Sequence, residues 1–341
     1  MHYLKSSLLV VTTLSLLATM TLAGNIEDGM TALQSGDYET AYRLWKLEAD
    51  QGNPEGLSKL GTMYALGVGV PQDYRESAKL YRLAAEDGFV VAQANLGNLY
   101  FKGLGVPNDY KEAAKWYLLA AEQGDTNAQN NLGAMYARGL FFSKDYKEAV
   151  KWYRAAAEQG YPEAQSNLGA LYDMGKGVPQ DYKEAVKWFQ RAAEQESPQA
   201  QFYLGAMYFT GKGVSKDYIK AAKLYRLAAD KGYPEAQHDL GAMYSDGLGV
   251  TQDYEESVKW YRMAAEQGSL KAQLSLGGMY FRGLGVSQSY EDAYAWWLVA
   301  AESGQEEAQK NIQRSHDGGM TLPQIESGKQ IAKEIRARVG K

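Results

Sequence analysis

Apolar and small residues along this chain fall into two alternating helical stripes. In the stretch 125–160, Ala128, Leu132 and Tyr136 sit at i, i+4 and i+8 and mark one face of a first helix. Tyr146, Ala149, Tyr153 and Ala157 mark the inward face of a second. Gly139 ends the first helix. In most copies a Gly-x-Gly-Val loop follows, which calls for left-handed backbone, and Gly160 ends the second helix. Polar residues mark the starts. Asp125 is placed to cap the first helix, with Asn53, Ser197 and Ser269 at the matching positions elsewhere. Pro54, Pro162, Pro198 and Pro234 occupy the next position, the favoured first residue of a helix. Asp145 followed by Glu148 predicts a capping box on the second helix, as do Asp73/Glu76, Asp109/Glu112, Asp181/Glu184 and Asp253/Glu256.

The unit repeats without an insertion or deletion. Leu-Gly-x-(Met/Leu)-Tyr begins at Leu60, Leu96, Leu132, Leu168, Leu204, Leu240 and Leu276, always 36 residues apart. A period in this range predicts stacked helix pairs, each unable to bury its apolar face alone. The glycine of the motif lies mid-helix, where it costs about 1 kcal/mol against alanine, so its recurrence predicts close approach of the partner helix. Both flanks read as caps. Residues 26–52 are in phase through Asp37, Tyr38, Tyr42, Trp45 and Gly52, with Gln34-Ser35-Gly36 replacing the glycine-rich loop. After Gly304, Ala308, Gln309 and Ile312 begin a partial unit, and 321–338 forms an amphipathic helix opened by a Thr321/Gln324 capping box.

The first residues change the picture. Lys5, the apolar run Leu8–Leu17 and Thr21-Leu22-Ala23 have the order of an export signal cleaved after Ala23. The apolar run is too short for a membrane span. The resulting expectation is a soluble protein, periplasmic or secreted. The division is 1–23 leader, 24–52 N-terminal capping half-repeat, 53–304 seven repeats, and 305–341 partial repeat with capping helix. The 341 residues contain no cysteine, so neither disulfides nor a lipid-anchored cysteine enter. A net charge of −5, with both signs mixed along the chain, argues against a nucleic-acid binder.

Three motif segments carry a family resemblance: Ala-Gln-x-x-Leu-Gly-x-Met-Tyr, then Gly-x-Gly-Val-x-x-Asp-Tyr, then Ala-x-x-Trp-Tyr-x-x-Ala-Ala-Glu-x-Gly. They resemble the Sel-one-like repeat (SLR) family, a branch of the tetratricopeptide (TPR) superfamily, over residues 53–304. The resemblance implies an all-α, right-handed superhelical solenoid of stacked antiparallel helix pairs whose first helices line the concave side. It also implies an adaptor that assembles other proteins; exported bacterial members include envelope scaffolds and host-interaction factors. One cysteine-rich branch carries a β-lactamase designation, but its repeats are stapled by disulfides that this chain cannot form.

The search for chemistry returns little. His238 and His316 lack a second ligand at metal spacing, so no metal site is expected. No Ser-x-x-Lys motif occurs, and the Gly-x-Gly loops follow helices rather than strands. Acidic pairs such as Glu255-Glu256 and Glu306-Glu307 sit at helix starts, where the helix dipole favours them. The Trp column (Trp116, Trp152, Trp188, Trp260, Trp296) falls at core spacing. The reading is therefore not an enzyme and no cofactor, with a protein or peptide as partner.

Specificity belongs to positions that vary inside the constant unit. The resemblance to TPR domains implies that the residue before each Leu-Gly points into the groove: Lys59, Asn95, Asn131, Asn167, Tyr203, Asp239 and Ser275. Asparagine both donates and accepts, so three in succession suit the main chain of an extended peptide. This column resembles the peptide-contacting asparagine of TPR domains. Neighbouring groove candidates are Asn98, Phe101, Lys102, Asn130, Arg138, Phe202, Phe209 and Phe281, with inter-repeat packing as the alternative for each. Phe141-Phe142 in place of Gly-Val, and Glu196 in place of the helix-ending glycine, are the two departures from the pattern. A wall-fragment binder, a β-lactamase-like hydrolase and a surface factor using Lys329, Lys333, Arg336, Arg338 and Lys341 remain the alternatives.

Overall fold

The computed structural model describes residues 24–317 and 320–339, without side chains at 316 and 317. The leader, the His316 side chain and Lys341 therefore lie outside the described residues. A helix over residues 24–34 (α1) is followed by α2 (Tyr38–Asp50). Seven pairs come next: α3 (Pro54–Leu66) with α4 (Tyr74–Glu86), α5 (Val90–Lys102) with α6 (Tyr110–Glu122), and α7 (Thr126–Arg138) with α8 (Tyr146–Glu158). They continue with α9 (Pro162–Met174) and α10 (Tyr182–Glu194), then α11 (Pro198–Thr210) and α12 (Tyr218–Asp230). The last two are α13 (Pro234–Asp246) with α14 (Tyr254–Glu266) and α15 (Leu270–Arg282) with α16 (Tyr290–Glu302). α17 (Glu306–Asp317) and α18 (Leu322–Arg336) close the chain. The described residues contain no strand, and the fold is an all-α stack of helix pairs.

Two compact units share these helices, the first ending at Tyr161 and the second beginning at Pro162. Within each unit the helices from α2 onward pack on their successors in the chain, except at the end, where α17 and α18 both pack on α16. First helices also meet one another, α5 with α7 and α9 with α11, whereas no two second helices approach to that extent.

The motif glycine is explained by an aromatic ring. A Cβ on Gly97 would lie 2.7 Å from the Tyr117 ring, and one on Gly169 would lie 2.8 Å from Phe189. The same column places Tyr153 on Gly133, Tyr225 on Gly205 and Trp297 on Gly277. Second-helix alanines such as Ala120, Ala156 and Ala228 are fully buried beside these rings. The predicted caps Asn53, Asp125, Ser197 and Ser269 each accept a backbone N–H of their first helix.

The second-helix capping boxes are only half formed. Asp73 accepts from the backbone of Arg75 and Glu76, but the Glu76 carboxylate turns forward to Lys79, 2.7 Å away. The reason is competition. The N–H of Asp73 already donates to the carbonyl of Tyr64 at 2.9 Å, as Asp109 does to Tyr100 and Asp253 to Tyr244. No donor remains for a returning glutamate, and the loop is tied to the preceding helix instead. At Thr321 the backbone N–H does reach Gln324, as predicted.

A buried glutamine column joins successive repeats. Gln93 and Gln129 each donate to a carbonyl of the preceding helix, Ala85 and Ala121. Each accepts in turn from a glutamine at the end of the next second helix: Gln123 to Gln93 at 2.8 Å and Gln159 to Gln129 at 2.9 Å. Gln195 to Gln165 and Gln267 to Gln237 repeat the contact in the second unit. Lys231 occupies the matching position in one repeat and forms an ion pair with Glu196 at 2.9 Å instead. The Gln201 amide oxygen is accordingly left without a donor. Glu196 thus has a partner of its own, although it holds φ +61°, a region that suits glycine.

Candidate functional site

The first-helix face of the first unit carries most of the predicted binding residues. Asn95, Asn98 and Asn131 are half-buried there, and Lys102 and Arg138 are exposed. Neither cation has an ion pair among the described residues, so this face presents positive charge. Two asparagines meet: the Asn98 amide oxygen accepts from the Tyr117 hydroxyl at 2.7 Å and from the Asn131 amide at 3.2 Å. Burial raises the Tyr117 hydroxyl well above the ordinary tyrosine value, which keeps it a donor. Asn98 therefore works as an inter-repeat tie, while Asn95 is left to meet other groups. Asn130 and Asn167 sit half-buried on α7 and α9.

The aromatic candidates divide. Phe202 is packed among Tyr203, Tyr225 and Tyr233, with ring centroids 5.3–5.5 Å apart, so it is an inter-repeat contact. Tyr203 stacks on Phe189 at 5.2 Å. Phe101, Phe209 and Phe281 lean on the first tyrosine of their own second helix, Tyr110, Tyr218 and Tyr290. Phe281 keeps an exposed edge, 38 % open to solvent.

An apolar cavity of about 300 Å³ opens on the same face at the N-terminal end. Met30 and Leu33 of α1, Trp45 of α2, Met63 of α3, Val68 and Phe89 form its walls, with Glu55 and Lys59 at its rim. Leu66 and Val91 border it and are 66 % and 51 % exposed. Lys59 belongs to the same column as Asn95, so the cavity continues the column. The loops and caps gave no sign of it in the sequence, because α1 contributes wall residues outside the repeat period.

His238 is half-buried on α13. Its Nδ1 lies 2.8 Å from Asp239 and its ring rests on Tyr261. Among the described residues no cluster of three metal-ligating side chains exists. Glu256 and Glu307 are spent on Lys259 and on Lys310 and Arg314. In the C-terminal helix, Lys329 pairs with Glu326 and Arg336 with Glu302, so two of the five basic residues of the surface-factor alternative have acidic partners. Phe142 stacks on Tyr136 at 4.2 Å, leaving Phe141 exposed at φ +64°.

The Sel1 repeat model matches seven consecutive segments, residues 54–89, 90–125, 126–161, 162–197, 198–233, 234–269 and 270–305. The chain belongs to the Sel1 repeat family. Sel1 repeat proteins generally serve as protein-interaction scaffolds on a non-catalytic fold. Among solved structures, this Sel1 repeat chain is similar to a Sel1 repeat protein from Oxalobacter formigenes at 33% identity and a TM-score of 0.67. That alignment covers 86% of this chain and 87% of the other. It also matches c5321, a protective antigen of uropathogenic Escherichia coli with an SLR fold, at 29% identity and a TM-score of 0.48, over 95% and 85% of the two chains. The immunity protein Pa5087 from Pseudomonas aeruginosa matches at 24% identity and a TM-score of 0.40, over 56% of this chain and 73% of that one. No curated protein matches. No helix among the described residues is long and apolar enough to cross a membrane.

Proposed function

We propose that this Sel1 repeat protein is an exported scaffold that holds an extended segment of a partner protein along the first-helix face of its first unit. The segment places an apolar side chain in the cavity between α1, α3 and α5. Asn95 and Asn131 hold its main chain, and Lys102 and Arg138 face its acidic residues. What supports the reading is the cavity itself: an apolar recess beside the Lys59–Asn95 column, rimmed by uncovered Leu66 and Val91. Apolar surface left open next to polar main-chain partners is the usual form of a protein-recognition site. The order of Lys5, the apolar run Leu8–Leu17 and Thr21-Leu22-Ala23 in the sequence supports export to the periplasm or the exterior.

The test uses residues 24–341 and the variant Asn95→Ala/Lys102→Ala/Val91→Asp as baits against envelope extract and culture medium. A protein retained by the wild type and lost by the variant, at equal thermal stability of the two baits, supports the scaffold and its face. Equal retention by both removes this face. Retention of wall fragments alone moves the protein to the glycan-binding alternative.

A further inference from the structure

A second recess, of about 140 Å³, lies in the second unit. Its floor is Ala242 and Met243 of α13 with Leu248 just beyond, and Phe209 and Tyr225 flank it. Asp239 and Asp246 line the same recess. The two carboxylates are seven residues apart on α13, with Ala242 between them, which sets all three on one helix face. The volume is below that of small-molecule sites and suits a single side chain.

The charge of this recess is uncompensated. Asp246 is exposed and forms no hydrogen bond or ion pair among the described residues. Asp239 has the His238 Nδ1 as its one side-chain partner there, at 2.8 Å. Arg282, one repeat along from Asp246, turns back on its own helix and donates to the Gly278 carbonyl at 3.1 Å. Burial raises the Tyr225 hydroxyl above its ordinary value, and the negative charge of Asp239 raises it further. The acidity is also local. The positions matching Asp246 in neighbouring repeats are Met174, Thr210 and Arg282, and those matching Asp239 are Asn167, Tyr203 and Ser275.

An apolar floor, an aromatic wall and two unneutralised carboxylates form the complement of an aliphatic stem ending in a cation. We propose that this recess binds a lysine or arginine side chain of a partner polypeptide, its stem on Met243 and Ala242 beside the Phe209 ring and its charge between Asp239 and Asp246. Long basic side chains bury their methylenes on apolar surface while the head keeps polar partners, and an adjacent ring face adds cation–π attraction. A negative ligand is repelled by both carboxylates, and a wholly apolar one strips them of water without replacement. The inference rests on the reading that first helices bind polypeptide and assigns the second unit its own specificity: a basic residue, where the first unit takes an apolar anchor and acidic neighbours.

The experiment is selection from a random peptide library on residues 24–341 and on Asp239→Asn/Asp246→Asn, followed by calorimetry with synthesised winners. Peptides enriched by the wild type should share one Lys or Arg position. Replacing that residue by Met, or binding to the double variant, should weaken affinity about tenfold, as expected for two partly exposed charge contacts. Asp246→Asn alone, at an exposed site, serves if the double variant melts early. Asp246→Lys should abolish the preference. Peptides that bind without a shared basic position, or keep their affinity for the Asp246 variants, overturn this inference and leave the first-unit face standing. A selection that enriches no peptide at all overturns both.

Discussion

Adjacent glycines in α15 separate close packing from simple helix propensity. Gly277 belongs to the motif column, and a Cβ there would lie 2.4 Å from the Trp297 indole nitrogen and 2.6 Å from Cδ1. That indole N–H donates to the Leu274 carbonyl at 3.1 Å, and the ring is almost fully buried. Gly277→Ala therefore gains about 1 kcal/mol of helix propensity. Against it stand roughly 1–3 kcal/mol for overpacking and about 1 kcal/mol or more for the displaced indole hydrogen bond. The net expectation is a loss of about 2 kcal/mol. Gly278, one residue on, would place its Cβ 3.7 Å from the Arg282 side chain and near nothing else. Gly278→Ala should therefore gain close to the full propensity, about 1 kcal/mol. Urea denaturation followed by helix circular dichroism reads both. Hydrogen exchange of the α15 and α16 amides localises the change, because stacked repeats open in parts. If Gly277→Ala proved as stable as wild type or more so, the account of the glycine column as a seat for the second-helix ring would be refuted.

Four further outcomes follow from the departures and ties described above. The double change Glu196→Gly/Lys231→Gln removes left-handed strain of about 1 kcal/mol and restores the glutamine contact to Gln201, so its melting temperature should equal or exceed that of wild type. The same pair gives an acid signature. Lys231 holds the Glu196 carboxyl below its ordinary value, so its contribution is present above the usual carboxylate range and is lost as pH falls through the folded value. An acid titration of stability should therefore be shallower for Glu196→Gln than for wild type, and identical curves would contradict the pairing. Phe141→Gly should raise stability by about 1 kcal/mol by relieving φ +64°, measured by thermal melting. Asn98→Ala strands the Tyr117 hydroxyl and should cost about 1–2 kcal/mol in urea, whereas Asn95→Ala, with no such tie, should stay within about 0.5 kcal/mol.

The helix pairs, their period and the tight glycine column were legible because each rests on residues close in sequence or fixed in phase. Contacts between repeats were harder to read. The buried glutamines appeared only as an Ala-Gln motif, since their partners lie 30 residues on. The capping boxes failed for a related reason: the Asp73 N–H finds the Tyr64 carbonyl of the preceding helix, and sequence spacing alone does not reveal that competitor. Asn98 and Phe202 lie on first helices of their own units, as expected, but whether a half-exposed side chain is free or tied to the next repeat depends on its neighbour. Asn131 of the next repeat engages Asn98, and Tyr233 packs on Phe202. The cavity at the N-terminal end depends on Met30 and Leu33 of the capping helix, which follow no repeat pattern.

The central claim is that a partner lies on the first-helix face of the first unit. Site-specific photo-crosslinking in the producing cells tests it most directly, with a benzophenone amino acid at Lys102 on α5 or at Lys115 on α6, both exposed. The account predicts a discrete crosslinked partner from position 102 and none from position 115. Crosslinks from position 115 alone would contradict it.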